Sequence, residues 1–356
     1  MNNVDALKNK MYRILKKKIF SFIYDMKRNN LFLILLVFVA ASCENKELGD
    51  EDSCAIDGNA NIKVIVNWED QSNARNMRMN IFSVTDGIID YGKDNIPPTG
   101  QKTIKLVNGA SYRPFCYDYN ANNIFFWNED VIESFQAYCP ESSRRTYSTL
   151  ATPVAGEKTF EDPAGDFFVH AWRDTFDVIL CDECDEMLII NFYPENKLRQ
   201  FTYRINNIVG TQYINSARGA TSGMAAAYFF HTDKMTTERS TVLFENATIG
   251  IDKNGVGYIE GVFYTFGPIA PYSNRFTIEL LVNGNDYYTA YWDVSGQIGE
   301  SMANREAKLA RDGYDILISN NTNTDIPEIK DPGGNNGSGG GFEIGVGEWD
   351  NVDIYL

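Results

Sequence analysis

Histidine is nearly absent: His170 and His231 are the only two in 356 residues. Each lies in or beside an apolar, aromatic run and reads as a core or surface side chain rather than a metal ligand or general base. One would suffice for a Ser-His-Asp triad, but no Gly-x-Ser-x-Gly elbow accompanies either. GxGxxG and Walker loops are also missing. Asp252-Lys253-Asn254-Gly255 begins like a calcium loop but lacks the downstream bidentate Glu, so it reads as a β-turn. Pairs such as Glu183/Asp185 and Asp350/Asp353 have the residue types of glycosidase acids, yet nothing in the sequence fixes their separation. No enzymatic role, no cofactor and no resident metal are expected.

Basic charge is scarce. There are 32 Lys and Arg against 48 Asp and Glu, a formal net charge of -16. Residues 1–42 hold eight of the basic residues and two of the acids. Without them the balance is 24 against 46, a net of -22. A body this acidic repels phosphate backbones, so nucleic acid is excluded as a partner. Long hydrophobic runs are lacking too. The unbroken run Leu31–Val39 is too short for a bilayer, which needs about 20 apolar residues.

That short run has a specific context. Met26-Lys27-Arg28-Asn29-Asn30 precedes it as a basic n-region, and Ala40-Ala41-Ser42 follows, then Cys43. This is the layout of a signal peptide, and a Cys directly after the small residues makes it a lipobox with Cys43 as the acylated residue. Ala40 stands where Leu is commonest. Residues 1–25 make the leader long, and Met26 reads as the true start. The expected anchor is therefore an acyl chain, palmitate included, on Cys43. The run Glu44-Asn45-Lys46-Glu47-Leu48-Gly49-Asp50-Glu51-Asp52 cannot pack a core and reads as an acidic tether over residues 43–57.

Five further cysteines remain: Cys54, Cys116, Cys139, Cys181 and Cys184. The number is odd, so at least one stays free or pairs with another chain. Cys181-Asp182-Glu183-Cys184 has metal-knuckle spacing. Zinc would need two more ligands, and Cys116 and Cys139 are the candidates for sulfur. The flanking acids raise thiol pKa values, which argues against a redox pair. A strand-end turn carrying a local disulfide or two thiols is the simpler reading.

Aromatic residues are abundant, with 22 Phe, 20 Tyr and 5 Trp, enough for a sizeable core. Short alternating runs separated by turn signals dominate the chain. Ile62–Trp68, Met77–Val84, Thr103–Val107, Tyr112–Asn120 and Asn122–Trp127 read as strands. Thr85-Asp86-Gly87 and Asn108-Gly109 read as hairpin turns, and Pro114 suggests an edge or a bulge. A second series follows: Asp166–Trp172, Met187–Tyr193, Leu198–Ile205, a small and aromatic stretch Ala220–Phe230, Val242–Ile251, Gly257–Gly267, Asn274–Val282 and Asp286–Val294. Asn283-Gly284 marks its last hairpin. Ser295–Arg311 is the single helix candidate. The expected fold is all-β, with β-sandwich domains at residues 58–160 and 161–330. Gly333–Gly341 is a flexible lead by composition, and residues 331–356 end in a strand pattern carried by Phe342, Ile344, Val346, Val352, Ile354 and Leu356.

The order of these pieces resembles a known group. A lipobox and acidic tether are followed by the Gly261–Gly267 stretch GVFYTFG, then Trp292–Ile298, WDVSGQI, and finally Gly339–Leu356, GGGFEIGVGEWDNVDIYL. Together they resemble the fimbrillin-like surface lipoproteins of the Bacteroidales, in an uncharacterised branch of the type V pilus subunit superfamily. The resemblance spans nearly all of Cys43–Leu356. It implies two tandem transthyretin-like sandwiches, placement on the outer membrane facing the cell surface, and a structural or adhesive role as a pilus anchor, tip or accessory subunit. Partners would be the membrane through the lipid, and pilus subunits or host and bacterial surface ligands. Type V subunits assemble by cleavage at an Arg and donor-strand insertion. Here Arg75, Arg78 and Arg144-Arg145 are the candidate points, and a monomer whose C-terminal strand folds back on itself is the expectation. The resemblance carries over no catalytic residue.

The other reading is a glycan-binding surface lipoprotein of a polysaccharide-uptake system. Tyr287, Tyr288, Tyr291 and Trp292 lie close in sequence, as do Phe125, Phe126 and Trp127. Aromatic faces stack on sugar rings, although alternate residues of every strand must face inward and core packing accounts for the same pattern.

Overall fold

The computed structural model describes residues 58–67, 77–142, 156–179, 187–245, 247–283, 286–309 and 313–330. Cys43, the signal and tether, Cys54, Arg75, Arg144-Arg145, the Cys181–Cys184 motif, Asp350/Asp353 and the C-terminal strand lie outside these residues. All but the two flanking residues Gly58 and Ile179 belong to one compact unit.

Strands make up most of the regular structure of the described residues. The series begins with β1 (Asn59–Val66), β2 (Met77–Ser83), β3 (Ile89–Asn95), β4 (Gln101–Val107), β5 (Ser111–Asp118), β6 (Phe125–Trp127), β7 (Gln136–Tyr138) and β8 (Lys158–Glu161). It continues with β9 (Phe168–Ala171), β10 (Phe176–Asp177), β11 (Leu188–Phe192), β12 (Glu195–Asn196), β13 (Arg199–Ile208), β14 (Ile214–Met224), β15 (Ala227–Phe229) and β16 (Lys234–Met235). Then come β17 (Ser240–Phe244), β18 (Thr248–Ile251), β19 (Gly257–Thr265), β20 (Arg275–Val282), β21 (Asp286–Asp293), the helix α1 (Ser295–Glu306) and β22 (Ile316–Ser319).

Five sheets result. In the N-terminal part β1 lies between β4, antiparallel, and β11, parallel. Its alternation is legible: Ala60, Ile62, Val64 and Val66 are buried while Asn59 and Asn61 are exposed. A second sheet runs β12-β9-β5-β2-β3, with β10 also on β5. In the C-terminal part β18-β19-β13-β22 faces β21-β20-β14-β17-β8. Tyr203 on β13 meets Phe244 on β17 and Phe276 on β20, with ring centroids 5.3 and 5.0 Å apart, and Phe244 stacks on Phe263 of β19 at 4.8 Å. These contacts define a sheet-on-sheet core. The fifth sheet, β16-β15-β7-β6, draws strands from both parts of the chain.

Sheet membership crosses the middle of the chain more than once. β8 pairs parallel with β17, whereas β9 and β10 pair with β5, and β11 with β1. Residues 158–161 thus belong with the C-terminal sheets, and residues 168–196 return to the N-terminal ones. The turn at Asn108-Gly109 does not close a hairpin. Gly109 takes φ 81°, but β4 and β5 enter different sheets, so the turn is a crossing between layers. Pro114 is not on an edge: β5 has neighbours on both sides. It is tolerated because β9 ends at Ala171 and β10 begins at Phe176, so the neighbour on that side is interrupted there. The Pro114 carbonyl accepts from Trp172 N at 3.1 Å on that side, where its missing N–H would also point. The run Val242–Ile251 is two strands, β17 and β18, in different sheets. The helix stops at Glu306, before Arg311, and buries Ile298, Ser301 and Met302.

Other readings hold. Thr85-Asp86-Gly87 turns β2 into β3, with Gly87 at φ 69°. Asn283 stands at the β20–β21 hairpin. Asp252 caps the β18–β19 turn, its Oδ1 accepting from Asn254 N and Val256 N at 2.8 and 2.9 Å. That use of the carboxylate is the work of an Asx turn.

Candidate functional site

Two surface features stand out, one concave and one flat. The concave one is a cleft of about 490 Å³ beside β9 and β12, lined among others by His170, Trp172, Arg173, Glu195, Lys197 and Asp233. Its charges neutralise one another. Asp233 accepts from Arg173 Nη2 at 2.6 Å and from Tyr228 Oη at 2.6 Å, and Lys197 Nζ lies 2.9 Å from its Oδ1. Burial alone would raise the Asp233 pKa, but hydrogen bonds from Tyr228, Arg173 and Lys197 outweigh it and hold the carboxyl down at about 2. Tyr228 is pushed well above its ordinary value by burial and by its bond to Asp233. His170 is held below its ordinary pKa, mainly by burial. Its Nδ1 accepts from Tyr193 N at 3.1 Å, which leaves the proton of the neutral ring on Nε2. Paired charges, a neutral imidazole and the Trp172 indole line this cleft, the parts of a polar binding surface.

His231 sits apart, its Nδ1 3.1 Å from Arg113 Nη1. Cys116 and Cys139 are free and buried. Burial first, then the nearby Asp118 and Asp162 charges, push the two thiols up, so neither has thiolate character. Both sit inside the packed body, Cys116 fully and Cys139 nearly fully buried.

The flat feature is the outer side of the sheet β16-β15-β7-β6. Register puts Phe125, Tyr138 and Ala227 in one row, and Trp127, Gln136, Phe229 and Lys234 in another. Between them the row Phe126, Ala137, Tyr228 and Met235 points into the core. Phe125 is 52 % exposed and Trp127 55 % exposed. The aromatic run at 125–127 is therefore divided: only Phe126 packs inward, beside Tyr117 with ring centroids 4.8 Å apart. The other aromatic run behaves similarly. Tyr291 is exposed at 56 %, whereas Trp292 packs against the core and donates from Nε1 to Asp325 at 3.1 Å.

Layered sheets with one short helix and an open, ring-bearing surface sheet define an all-β protein of the sandwich type. A crystal structure of a candidate adhesin from Bacteroides ovatus ATCC 8483 has the same fold, with a TM-score of 0.53 and 12% identity, over 79% of this chain and 95% of that one. The fimbrial anchor protein Mfa2 from Porphyromonas gingivalis aligns at a TM-score of 0.40 and 10% identity, over 67% of this chain and 84% of that one. A candidate polysaccharide-binding protein from Bacteroides thetaiotaomicron VPI-5482 aligns at 0.45 and 8% identity, over 72% and 86%. No curated protein matches the chain. Residues 42–245 match the family described as a domain of unknown function, DUF5119, and the chain belongs to that family.

Proposed function

We propose that the protein is a non-enzymatic cell-surface lipoprotein with a structural or adhesive role, a fimbrillin-like anchor, tip or accessory subunit. The observation that carries this reading is a lipobox at residues 31–43 ahead of an all-β body with the fold of a candidate adhesin. The acyl chain on Cys43 holds the body at the outer leaflet of the outer membrane, and the acidic tether of residues 43–57 sets it off from the surface. In this reading the body comprises two transthyretin-like sandwiches, the first including β9–β12 and the second β8. Pilus subunits or surface ligands of other cells are the partners this placement favours.

Protease added to intact cells tests the placement. Loss of the protein from intact cells, as from lysed ones, is the expected result. Survival in intact cells with loss on lysis would put the protein on the periplasmic side.

A further inference from the structure

The outer side of the sheet β16-β15-β7-β6 carries seven residues in its two rows: Phe125, Tyr138 and Ala227, then Trp127, Gln136, Phe229 and Lys234. Four are aromatic, none is acidic, and none is a large aliphatic side chain. Burial does not explain the rings. Phe125 and Trp127 are more than half exposed on the edge strand, while their neighbour Phe126 supplies the core contact. An edge strand that only had to stay soluble would carry charge here rather than two large rings.

We propose that this sheet face binds an uncharged polysaccharide, by stacking sugar rings on Phe125, Trp127 and Tyr138. The proposal rests on the surface placement argued above and names the ligand class that placement brings within reach. Its chemistry follows from the two rows. A pyranose with equatorial hydroxyls presents a flat patch of C–H groups on each face and a rim of hydroxyls. The C–H patch fits an aromatic ring, and the rim needs donors and acceptors at the border. Gln136 supplies both from its amide, Lys234 supplies donors, and Tyr138 has its hydroxyl. Phe125 and Tyr138, on adjacent strands, have ring centroids 6.2 Å apart. Rows two residues apart are separated by roughly 7 Å, and four strands span roughly 14 Å. A flat patch of this extent suits a run of sugar residues lying across it rather than a small molecule sealed in a pocket. The same rings could stack nucleobases, but the acidic body opposes a phosphate backbone. Aromatic residues are also enriched at protein interfaces, so a second copy of the chain is the competing occupant that the experiment must separate.

Affinity gel electrophoresis of the purified full chain, in gels containing barley β-glucan, xylan, galactomannan or pullulan, tests the proposal without relying on where the protein sits in the cell. Retardation by at least one of these polymers is expected. The double variant Phe125→Ala/Trp127→Ala should weaken it at least tenfold while melting within a few degrees of the native chain. Gln136→Ala should weaken it less. Migration unaffected by all four polymers, or a double variant retarded as strongly as the native chain, would overturn the proposal. So would self-association of the native chain that the double variant abolishes, with no polymer effect: the face would then be a contact between copies. Surface placement fails separately, in the protease experiment on intact cells.

Discussion

Phe135 and Phe230 stack with ring centroids 3.9 Å apart and ring planes 2° from parallel. Phe135 leads into β7 and Phe230 follows β15, so the pair clamps the small sheet whose strands come from both parts of the chain. Phe230 also meets Phe115, Tyr117, Phe126, Phe167 and Tyr228 at 5.3 to 6.5 Å. These rings belong to one continuous core cluster that runs on into Phe201, Phe244 and Phe276. Phe230→Ala should therefore cost about 3–5 kcal/mol. The two sets of layers should still unfold together, as one transition in denaturant monitored by tryptophan fluorescence and by circular dichroism. Two separated transitions in the native chain would mean the cluster does not couple them.

Asp162 makes the protein's stability fall as pH rises through the weakly acidic range. Burial pushes its carboxyl from 3.8 to about 6, although its Oδ1 accepts from Ala164 N and Tyr264 N at 2.8 and 3.0 Å. The folded chain keeps the proton up to about pH 6, while the unfolded chain releases it near pH 4. The stabilisation is complete below pH 4 and lost by pH 7, a change of about 3 kcal/mol. Asp162→Asn keeps both acceptor contacts and removes the titration. It should melt higher than the native chain at pH 7.5 and show no such advantage at pH 4. An advantage that is the same at both pH values would refute the assignment.

Asp233 behaves in the opposite sense. Its depressed pKa means that its contribution is present at neutral pH and is lost only as pH falls through about 2. Asp233→Ala strands the Tyr228 hydroxyl and leaves the Lys197 ammonium with Glu195 alone, and should cost about 1–3 kcal/mol in urea unfolding at pH 7. Tyr228→Phe removes one donor and should cost less.

Cys116 and Cys139 should resist alkylation. Both thiols are buried and held protonated, so iodoacetamide at pH 8 should label neither in the folded protein and both in urea, read by peptide mass spectrometry. Labelling of either under native conditions would show that the body opens locally.

Strands were legible wherever period-two alternation met a turn with a local mechanism. β1, with its Ile62-Val64-Val66 stripe, and the β18–β19 hairpin at Asp252 are of this kind. Pairing was not legible, because it depends on partners far along the chain. Nothing near Leu188–Phe192 says that it lies parallel to β1, and nothing near Lys158–Glu161 says that it joins β17. β3 was missed because Ile89–Asn95 reads IDYGKDN, an edge strand with mostly polar outward residues and no alternation to detect. The ring-bearing face was half legible. The run Phe125-Phe126-Trp127 named the residues, but only the register with Tyr138 and Gln136 shows which rings face out. The cleft at Asp233 had no local signal, since Arg173, Lys197, Tyr228 and Asp233 meet only through the fold.

Metabolic labelling with palmitate tests the proposed anchor at Cys43 directly. The native chain should incorporate label and fractionate with the membrane, whereas Cys43→Ser should lose the label and be released from the membrane fraction. Label retained by Cys43→Ser, or an unlabelled native chain, would contradict the account.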